Sequence, residues 1–304
     1  CNLQNETTWT VYLLAHNYVL LSYLLLYSLS SPLVELVPIF LGVTNKLGLN
    51  SIKNSAGGGV GFSNLYSLSF DGIDDYLTFG NEDVFTPNNS GANRGFSMSY
   101  WLKLASGGQR VIGKTNIFVD GQRYYEYQML VNSTGKLTIN FFSGGGNTIR
   151  IGIKVDISSS YNTWQNIIVS WDLGVTGNDI IIYIDGVKYS IAEGNATDDW
   201  LGTFTSVDNT DNPLEVARIG TNNGEIYFDE FAIFDDALTQ SQATAIYNSG
   251  VPTDLSAMAY LLGYWRNGDT AGTSVYPTIE DYSSNSNDGT MTNMDSGDIV
   301  TDVP

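Results

Sequence analysis

From Leu65 onward, apolar and polar residues alternate along the chain with a period of two, and this pattern limits the possible folds most strongly. In FSMSYWLKL (96–104), every second residue is large and apolar, as expected for a strand with one face in a core. The runs IRIGIKVDI, WQNIIVSWDL and NDIIIYIDGVKYSI follow at short intervals. Many short strands with few helical patterns between them predict an antiparallel sandwich or barrel.

Turn residues and one helical pattern punctuate these strands. The triplet at 133–135 (Ser-Thr-Gly) predicts a hairpin, and Asp185-Gly186 predicts a tight turn. The segment 236–250 predicts a short helix with Asp236 as its N-cap and Gly250 as its stop. Trp171 shares a face with the apolar residues of its strand and is predicted to be in the core.

Composition excludes several kinds of chemistry. The only cysteine is Cys1 and the only histidine is His16, so the body of the chain has no disulfide, no thiol or histidine zinc site and no Ser-His-Asp or Cys-His nucleophile. The net charge is −19, which repels phosphate backbones and anionic lipids and argues against nucleic-acid binding.

The N-terminal residues 1–53 form an apolar leader of open status. Residues 8–34 contain no Lys, Arg, Asp or Glu, and this run is long enough to span a bilayer. Three interpretations remain open: a membrane or interface anchor (with a lipidated Cys1 as a variant), a segment within 1–50 that docks on a partner protein, and a sequence-boundary artefact. Residues 54–64 (NSAGGGVGFSN) then predict a flexible Gly/Ser-rich joint.

Several blocks of the body together resemble one family. They are YSLSFDGIDDYLTFG, FSMSYWLKL, TWQNIIVSWD, IIIYIDGVKY, ARIGTN and FDEFAIFDDALTQSQATAIYNSG, in that order. This series resembles laminin-G-like domains of the concanavalin A-like lectin/glucanase superfamily, of the kind found in marine bacteriophage virion proteins. The resemblance implies an all-β, two-sheet antiparallel jelly roll over residues 65–250, with one of its sheets concave.

The C-terminal segment 251–304 carries a block that the family places first. AYLLGYWRNGD and the following IEDYSSNSNDGTMTN (259–293 in all) are similar to the strand and turn that normally precede the SFDG strand. We therefore expect a permuted C-terminal edge strand near 260–266 that completes the sandwich. A truncated second repeat is the alternative.

The resemblance includes glucanases, which carry acidic residues at alternating positions of one strand. The nearest pattern here is Glu225, Asp229 and Glu230 in EIYFDEF. Alternation puts Glu225 and Asp229 on one face of the strand and Glu230 on the other, whereas glycosidases need two carboxylates that face one bond. The expectation is that the chain is not an enzyme.

A structural calcium ion is a candidate cofactor. The DGIDD turn supplies Asp71, Asp74 and Asp75, and the resemblance places Asp229 beside the first strand, where many relatives hold calcium. Ordinary turn chemistry and solvation of these carboxylates is the alternative.

Aromatic side chains are the candidate glycan contacts, because sugar rings stack on aromatic faces. Trp101 and Tyr183 lie on the polar faces of their strands, so they are candidates for a sugar platform. The alternative is that the C-terminal segment, with Tyr264 and Trp265, covers them in a second small core. Trp200, in a loop, and the tyrosine cluster around Tyr125 are further candidates.

These inferences favour a non-catalytic module for surface adhesion or glycan recognition. We expect it to be extracellular, on a virion or cell surface, as a decoration, fibre or receptor-binding component of a phage particle. Its expected partners are cell-surface or extracellular glycans and other virion or surface proteins, and a homo-oligomer is compatible with the sequence. A purely structural assembly protein is the alternative, and a glucanase-type hydrolase is third.

Overall fold

The described part of this computed structural model is residues 62–304, without 81–82, 89, 120–121, 145–147, 211 and 270–275 and without the side chains of 116–119 and 122–123. The predicted leader (1–53) and nearly all of the joint (54–64) lie outside these residues. Within the described part, no helix is long and apolar enough to cross a membrane.

Nineteen strands and one α-helix are described. In chain order the strands are β1 Ser67–Asp71, β2 Tyr76–Thr78, β3 Phe96–Lys103, β4 Arg110–Val119, β5 Gln122–Val131, β6 Lys136–Phe142, β7 Arg150–Asp156, β8 Gln165–Trp171, β9 Ile180–Ile184, β10 Val187–Tyr189, β11 Thr197–Asp198, β12 Leu214–Val216, β13 Arg218–Ile219, β14 Asn222–Asn223, β15 Glu225–Phe234, β16 Leu261–Trp265, β17 Thr278–Ile279, β18 Gly289–Thr292 and β19 Ile299–Val300. The helix α1 spans Gln240–Tyr247.

The strands form two large antiparallel sheets. The first sheet has the order β10-β9-β8-β3-β15-β1-β19, and β16 also pairs with β15. The second sheet has the order β11-β7-β6-β5-β4-β12-β2-β18-β17, and β13 and β14 form a separate small ribbon. The prediction of an all-β, two-sheet antiparallel sandwich with one short helix is confirmed.

The main core lies between the two sheets and is rich in aromatic rings. Trp171 stacks on Phe141 with ring centroids 4.2 Å apart, and Tyr100 stacks on Phe228 at 5.3 Å. Trp171 is buried, as its position on the apolar face of its strand predicts. The predicted turn at Asp185-Gly186 is also present, since both residues have the positive φ that such a turn requires.

The helix begins later than the sequence predicts. Its N-cap is Thr239, whose hydroxyl accepts a hydrogen bond from the Gln242 N–H, and not Asp236. Ser97 of β3 holds the preceding residues in a non-helical path, because its hydroxyl donates to the Asp236 carbonyl and accepts from the Leu238 N–H.

The helix covers part of the outer face of the first sheet and creates a second, smaller core there. Its buried members come from β8, β9, β15, β16, α1 and the segments beside α1, and they are Ile168, Tyr183, Ala232, Phe234, Leu238, Ala243, Ile246, Leu255 and Tyr264. The first sheet is thus buried on both faces at this end.

The C-terminal segment contributes strands to both sheets. In the first sheet, β16 pairs antiparallel with β15, with Trp265 opposite Phe231 and Tyr264 opposite Ala232, and β19 pairs with β1. In the second sheet, β18 pairs with β2 and β17 with β18. The C-terminal edge strand expected near 260–266 is therefore present at Leu261–Trp265.

Candidate functional site

Two of the predicted glycan contacts are buried. Trp101 is 4% exposed and Tyr183 is 3% exposed, on the outer face of the first sheet. The alternative that Tyr264 and Trp265 cover Trp101 and Tyr183 is only partly right. Tyr264 joins the second core beside Tyr183, but Trp101 lies under Tyr247 of α1, with ring centroids 6.0 Å apart. Neither Trp101 nor Tyr183 presents an open ring face on which a sugar could stack.

Trp265 lies in the main core instead of on the outer face of the first sheet. Successive side chains of β16 point to opposite faces, so Tyr264 and Trp265 cannot cover the same surface. The tyrosine cluster divides in a similar way. Tyr127 is fully buried and donates to the Phe85 carbonyl at 3.0 Å, whereas Tyr125 is half-buried with its ring edge-to-face on Phe142.

Trp200 is the most exposed of the predicted contacts, at 58% of its surface. Backbone hydrogen bonds fix its position. Leu201 exchanges two of them with Arg150 at 2.8 and 3.0 Å, and the Asp199 N–H donates to the Gly152 carbonyl at 2.9 Å. The segment 199–201 therefore runs along β7 as an added edge. Its register puts Asp199 opposite Gly152 and Trp200 opposite Ile151, so the indole projects on the side of the sheet that Ile151 faces.

A row of polar residues and glycines crosses the outer face of the second sheet and ends at Asp199 of the edge segment. Strand register aligns the row, whose members from β7 to β18 are Gly152, Asn140, Gln128, Gly113, Glu215, Thr78 and Thr290. Neighbouring residues in the same strands, such as Ile139 and Phe141, point into the main core. The β13–β14 ribbon packs on the row at Gly113, and the part towards β7 adjoins Asp199.

Five side chains of this face form one hydrogen-bonded group, the Asp199 network: Gln128, Asn140, Arg150, Lys154 and Asp199. The Asp199 carboxylate accepts from Asn140 Nδ2 at 2.9 Å, from Arg150 at 3.1 Å and from Lys154 at 2.9 Å. Gln128 Nε2 donates to Asn140 Oδ1 at 3.2 Å. Burial alone would raise the pKa of Asp199, but its bonds from Asn140, Lys154 and Arg150 lower that pKa below its usual value.

The Asp199 network and Trp200 lie on opposite sides of one edge segment, and each offers groups that suit sugar recognition. The indole supplies an open ring face, and the network supplies fixed amide, carboxylate and cationic groups, which are the partners that sugar hydroxyls use. Asp199 keeps only a tenth of its side chain exposed, while Arg150 and Lys154 keep about a quarter to a third. The polar groups are thus positioned in advance and still reachable from solvent.

The acidic turn after β1 brings together three of the four predicted calcium ligands. One carboxylate oxygen from each of Asp71, Asp74 and Asp75 lies within 4.8 Å of the others. Burial and the nearby charges of Asp71, Asp298 and Asp74 raise the pKa of Asp75 to about 6, although a hydrogen bond from the Asp71 N–H opposes the rise. The turn therefore concentrates negative charge.

The fourth predicted ligand, Asp229, lies elsewhere. Asp71 pairs with Glu225, and Asp229 is four residues further along β15, about 13 Å away at the usual strand rise. Asp229 is fully buried and accepts a hydrogen bond from Asn64 Nδ2 at 2.9 Å. The structure thus does not bring Asp229 to the acidic turn.

Glu230 lies on the same side of the sheet as Asp229, which alternation did not predict. A β-bulge between Asp229 and Ala232, with φ +47° at Glu230, breaks the alternation. The Tyr264 hydroxyl and Arg266 both bind the Glu230 carboxylate. Burial raises the pKa of Glu230 to about 7, although Tyr264 and Arg266 act to lower it. Burial, with the charge of Glu230, raises the pKa of Asp229.

The bulge places two carboxylates side by side, but neither of them faces solvent. Asp229 and Glu230 are both buried, and their oxygens are engaged by Asn64, Tyr264 and Arg266. Glu225 is exposed and four residues away from Asp229. The three acidic residues of EIYFDEF therefore do not enclose a bond of a sugar chain.

Comparison with known proteins agrees with this architecture. The sequence pattern of laminin-G-like domains, described as the concanavalin A-like lectin/glucanases superfamily, matches residues 71–244. No curated protein matches the sequence significantly.

Solved structures resemble this chain at low sequence identity. A protein from Bacteroides ovatus titled a "putative carbohydrate binding protein" is 15% identical with a TM-score of 0.52, and the match covers 79% of this chain and 60% of that one. A heptameric SAP-like pentraxin from Limulus polyphemus is 14% identical with a TM-score of 0.37, over 60% of this chain and 82% of that one. The family pattern covers more than half of the sequence, and the chain therefore belongs to the concanavalin A-like lectin/glucanases superfamily.

Proposed function

We propose that this chain is a non-catalytic glycan-recognition module that binds sugars at Trp200 and the Asp199 network. The observation that carries the proposal is a preformed group of amide, carboxylate and cationic side chains at a sheet edge that also bears a 58% exposed indole. The B. ovatus protein shares the fold and is described as a carbohydrate binder, which agrees with this proposal.

Hydrogen bonds within the Asp199 network lower the entropy that is lost when a sugar binds. Asn140 is held by Gln128 and Asp199, so its amide loses little freedom when a sugar arrives. Arg150 Nε is buried without a hydrogen-bond partner among the described residues. A hydroxyl that reached it would satisfy a donor that the fold leaves unpaired.

The direct test is a glycan array followed by titration with the sugar that binds best. Trp200→Ala is expected to weaken binding at least tenfold, because stacking supplies much of the contact area, and Asn140→Ala is expected to weaken it by a similar factor. The matched control is Tyr260→Ala, which removes another half-exposed ring far along the chain. Equal affinity of Trp200→Ala and wild type would refute this site, and no binding across the array would favour a purely structural role.

Catalysis is tested separately. Incubation with β-glucans and other polysaccharides is expected to release no reducing ends, because Asp229 and Glu230 are buried and already hydrogen-bonded. Release that disappears in Glu230→Gln would show that the chain is a hydrolase.

The proposal also places the module outside the cell, on a virion or cell surface, where a phage decoration, fibre or receptor-binding component would meet host glycans. Antibodies against the domain are expected to label intact phage particles or intact cells. Labelling only after lysis would contradict this location. Sedimentation of the purified chain would then decide whether it acts as a monomer or a homo-oligomer.

We also propose that the acidic turn holds a structural calcium ion. Its three carboxylates fit a hard cation, and within the described residues no Lys or Arg pairs with Asp71, Asp74 or Asp75. Asp229 does not fit this ion, because it lies further along β15 and its carboxylate accepts a hydrogen bond from Asn64.

Calcium titration by calorimetry tests this assignment. Asp75→Asn is expected to lower calcium affinity about tenfold or more, because one charged ligand is lost. The control is Asp172→Asn, at an exposed aspartate outside the turn. Unchanged affinity in Asp75→Asn, or loss of calcium binding only in Asp229→Asn, would overturn it.

A further inference from the structure

A buried polar cluster at one end of the main core has no part in the proposed sugar site. Its three charged or amide side chains, Lys114, Glu126 and Asn212, are each fully buried. They come from three neighbouring places in the second sheet: Lys114 from β4, Glu126 from β5 and Asn212 from the residues just before β12.

Strand register explains why these side chains meet. Lys114 lies opposite Leu214 of β12 and opposite Tyr127 of β5, both of which face the main core. A register shift after Lys114 leaves Glu126 without a cross-strand partner, so this residue is bulged towards the lysine. Asn212 is two residues from Leu214 and is therefore a diagonal neighbour of Lys114, within reach of a long side chain.

A chain of hydrogen bonds links the amine to the amide. Lys114 Nζ lies 2.7 Å from Glu126 Oε1, which also accepts from the Thr210 hydroxyl at 2.7 Å. The same hydroxyl accepts from Asn212 Nδ2 at 2.6 Å. Thr86 holds the second Glu126 oxygen at 2.6 Å, and Lys114 Nζ also lies 3.5 Å from the Thr210 carbonyl.

These positions assemble a nucleophile, an acid–base group and an electrophile. A buried lysine is a nucleophile once it has lost its proton, and a carboxylate in contact with it can take that proton. Holding the amine and the amide in one hydrogen-bonded cluster replaces a slow reaction between molecules with one inside a single fold.

We propose that Lys114 and Asn212 become joined by an intramolecular amide bond, formed after folding with Glu126 as the acid–base catalyst. Glu126 first takes a proton from Nζ, and the free amine attacks Asn212 Cγ. The Nζ–Cγ bond forms and the Cγ–Nδ2 bond breaks. Nζ loses two protons in all. Glu126 passes them through the Thr210 hydroxyl to the Asn212 nitrogen, which leaves as ammonium. Glu126 thereby returns to its carboxylate form.

This bond would give the sandwich a covalent link in a body that contains no cysteine pair. It would join the middle of the second sheet to the segment that leads into β12, across nearly one hundred residues of sequence. It requires no oxidant, metal or other co-reactant, because condensation and release of ammonia balance the reaction.

The intact mass of the folded full-length chain is the decisive measurement. The cross-linked protein is expected to be lighter than its sequence by one ammonia. Tryptic digestion is expected to yield a branched peptide that contains both Lys114 and Asn212, with no cleavage after Lys114. A wild-type mass equal to that of the sequence would overturn the proposal, because a non-covalent ion pair leaves the mass unchanged.

Two near-isosteric variants separate the roles of the residues. Glu126→Gln keeps the shape of the side chain but removes its proton transfer, and it is expected to retain the full mass. Asn212→Asp is expected to form the same bond with loss of water instead of ammonia. If the Glu126→Gln variant still loses ammonia, Glu126 has no role in the reaction. If the Asn212→Asp variant still loses ammonia, the ammonia comes from another residue.

Discussion

Replacing Trp265 with alanine is expected to lower the free energy of unfolding by about 4 kcal/mol, as for other buried tryptophans. The side chain is fully buried in the main core, with ring centroids 4.3 Å from Phe79 and 5.1 Å from Phe231. Its indole N–H also donates to the Asn287 carbonyl at 2.8 Å. The substitution would leave a cavity between the two sheets and would unpair that carbonyl.

Urea unfolding followed by circular dichroism measures this loss. Trp200→Ala serves as the matched control, because that indole is mostly exposed and its removal is expected to change the free energy of unfolding by less than about 0.5 kcal/mol. A loss below about 1 kcal/mol in Trp265→Ala would mean that the C-terminal strand β16 does not belong to the core in solution.

A second large effect is expected at Glu215, and it depends on pH. This residue of β12 is almost fully buried on the outer face of the second sheet, with Arg218 3.7 Å away and Oε2 without a hydrogen-bond partner among the described residues. Burial raises its pKa to about 7, although the charge of Arg218 opposes the rise. The folded state thus binds the proton more tightly than the unfolded state does.

The sign of the pH dependence follows from this difference. The protonated carboxyl stabilises the fold below the unfolded pKa of 4.5, and that contribution is lost as the pH rises through about 7. A pKa rise of this size corresponds to about 3 kcal/mol in the free energy of unfolding. Glu215→Gln, which cannot ionise, is therefore expected to be up to about 3 kcal/mol more stable than wild type near pH 8.5 and about equal to it near pH 4.5.

Chemical unfolding of both proteins at the two pH values measures this difference. Comparison of the variant with wild type cancels the titration of other buried acids such as Glu230. Glu225→Gln, at an exposed residue near the start of β15, is the control and is expected to show no such difference. A stabilisation by Glu215→Gln that is the same at both pH values would contradict the assignment of the effect to ionisation.

Most of the fold could be predicted from local patterns. Alternation placed Met98 and Trp171 correctly in the main core, and turn residues located the bend at Asp185-Gly186. The errors arose where a distant group changed a local rule. The helix begins at Thr239 because Ser97 of another strand holds the residues before it, and the bulge at Glu230 reverses the face that alternation assigns.

The candidate site was predictable only in part. Trp200 could be recognised because it lies in a polar loop between strands, and the structure leaves it exposed. The polar partners of Asp199 could not be recognised, since Asn140 and Arg150 are 59 and 49 residues before it in sequence. They meet Asp199 only through the pairing of β6, β7 and the segment after β11.

The sequence by itself determined the strands, the apolar faces of those strands and the absence of cysteine and histidine chemistry from the body of the chain. These properties depend on residue types and on the period of two, which are local. Only the tertiary structure decided which outward-facing aromatic rings are covered, because cover depends on contacts between residues far apart in the chain. Trp101 is buried because α1 lies over its sheet, and Trp200 stays open because no element of the described part packs against most of its ring.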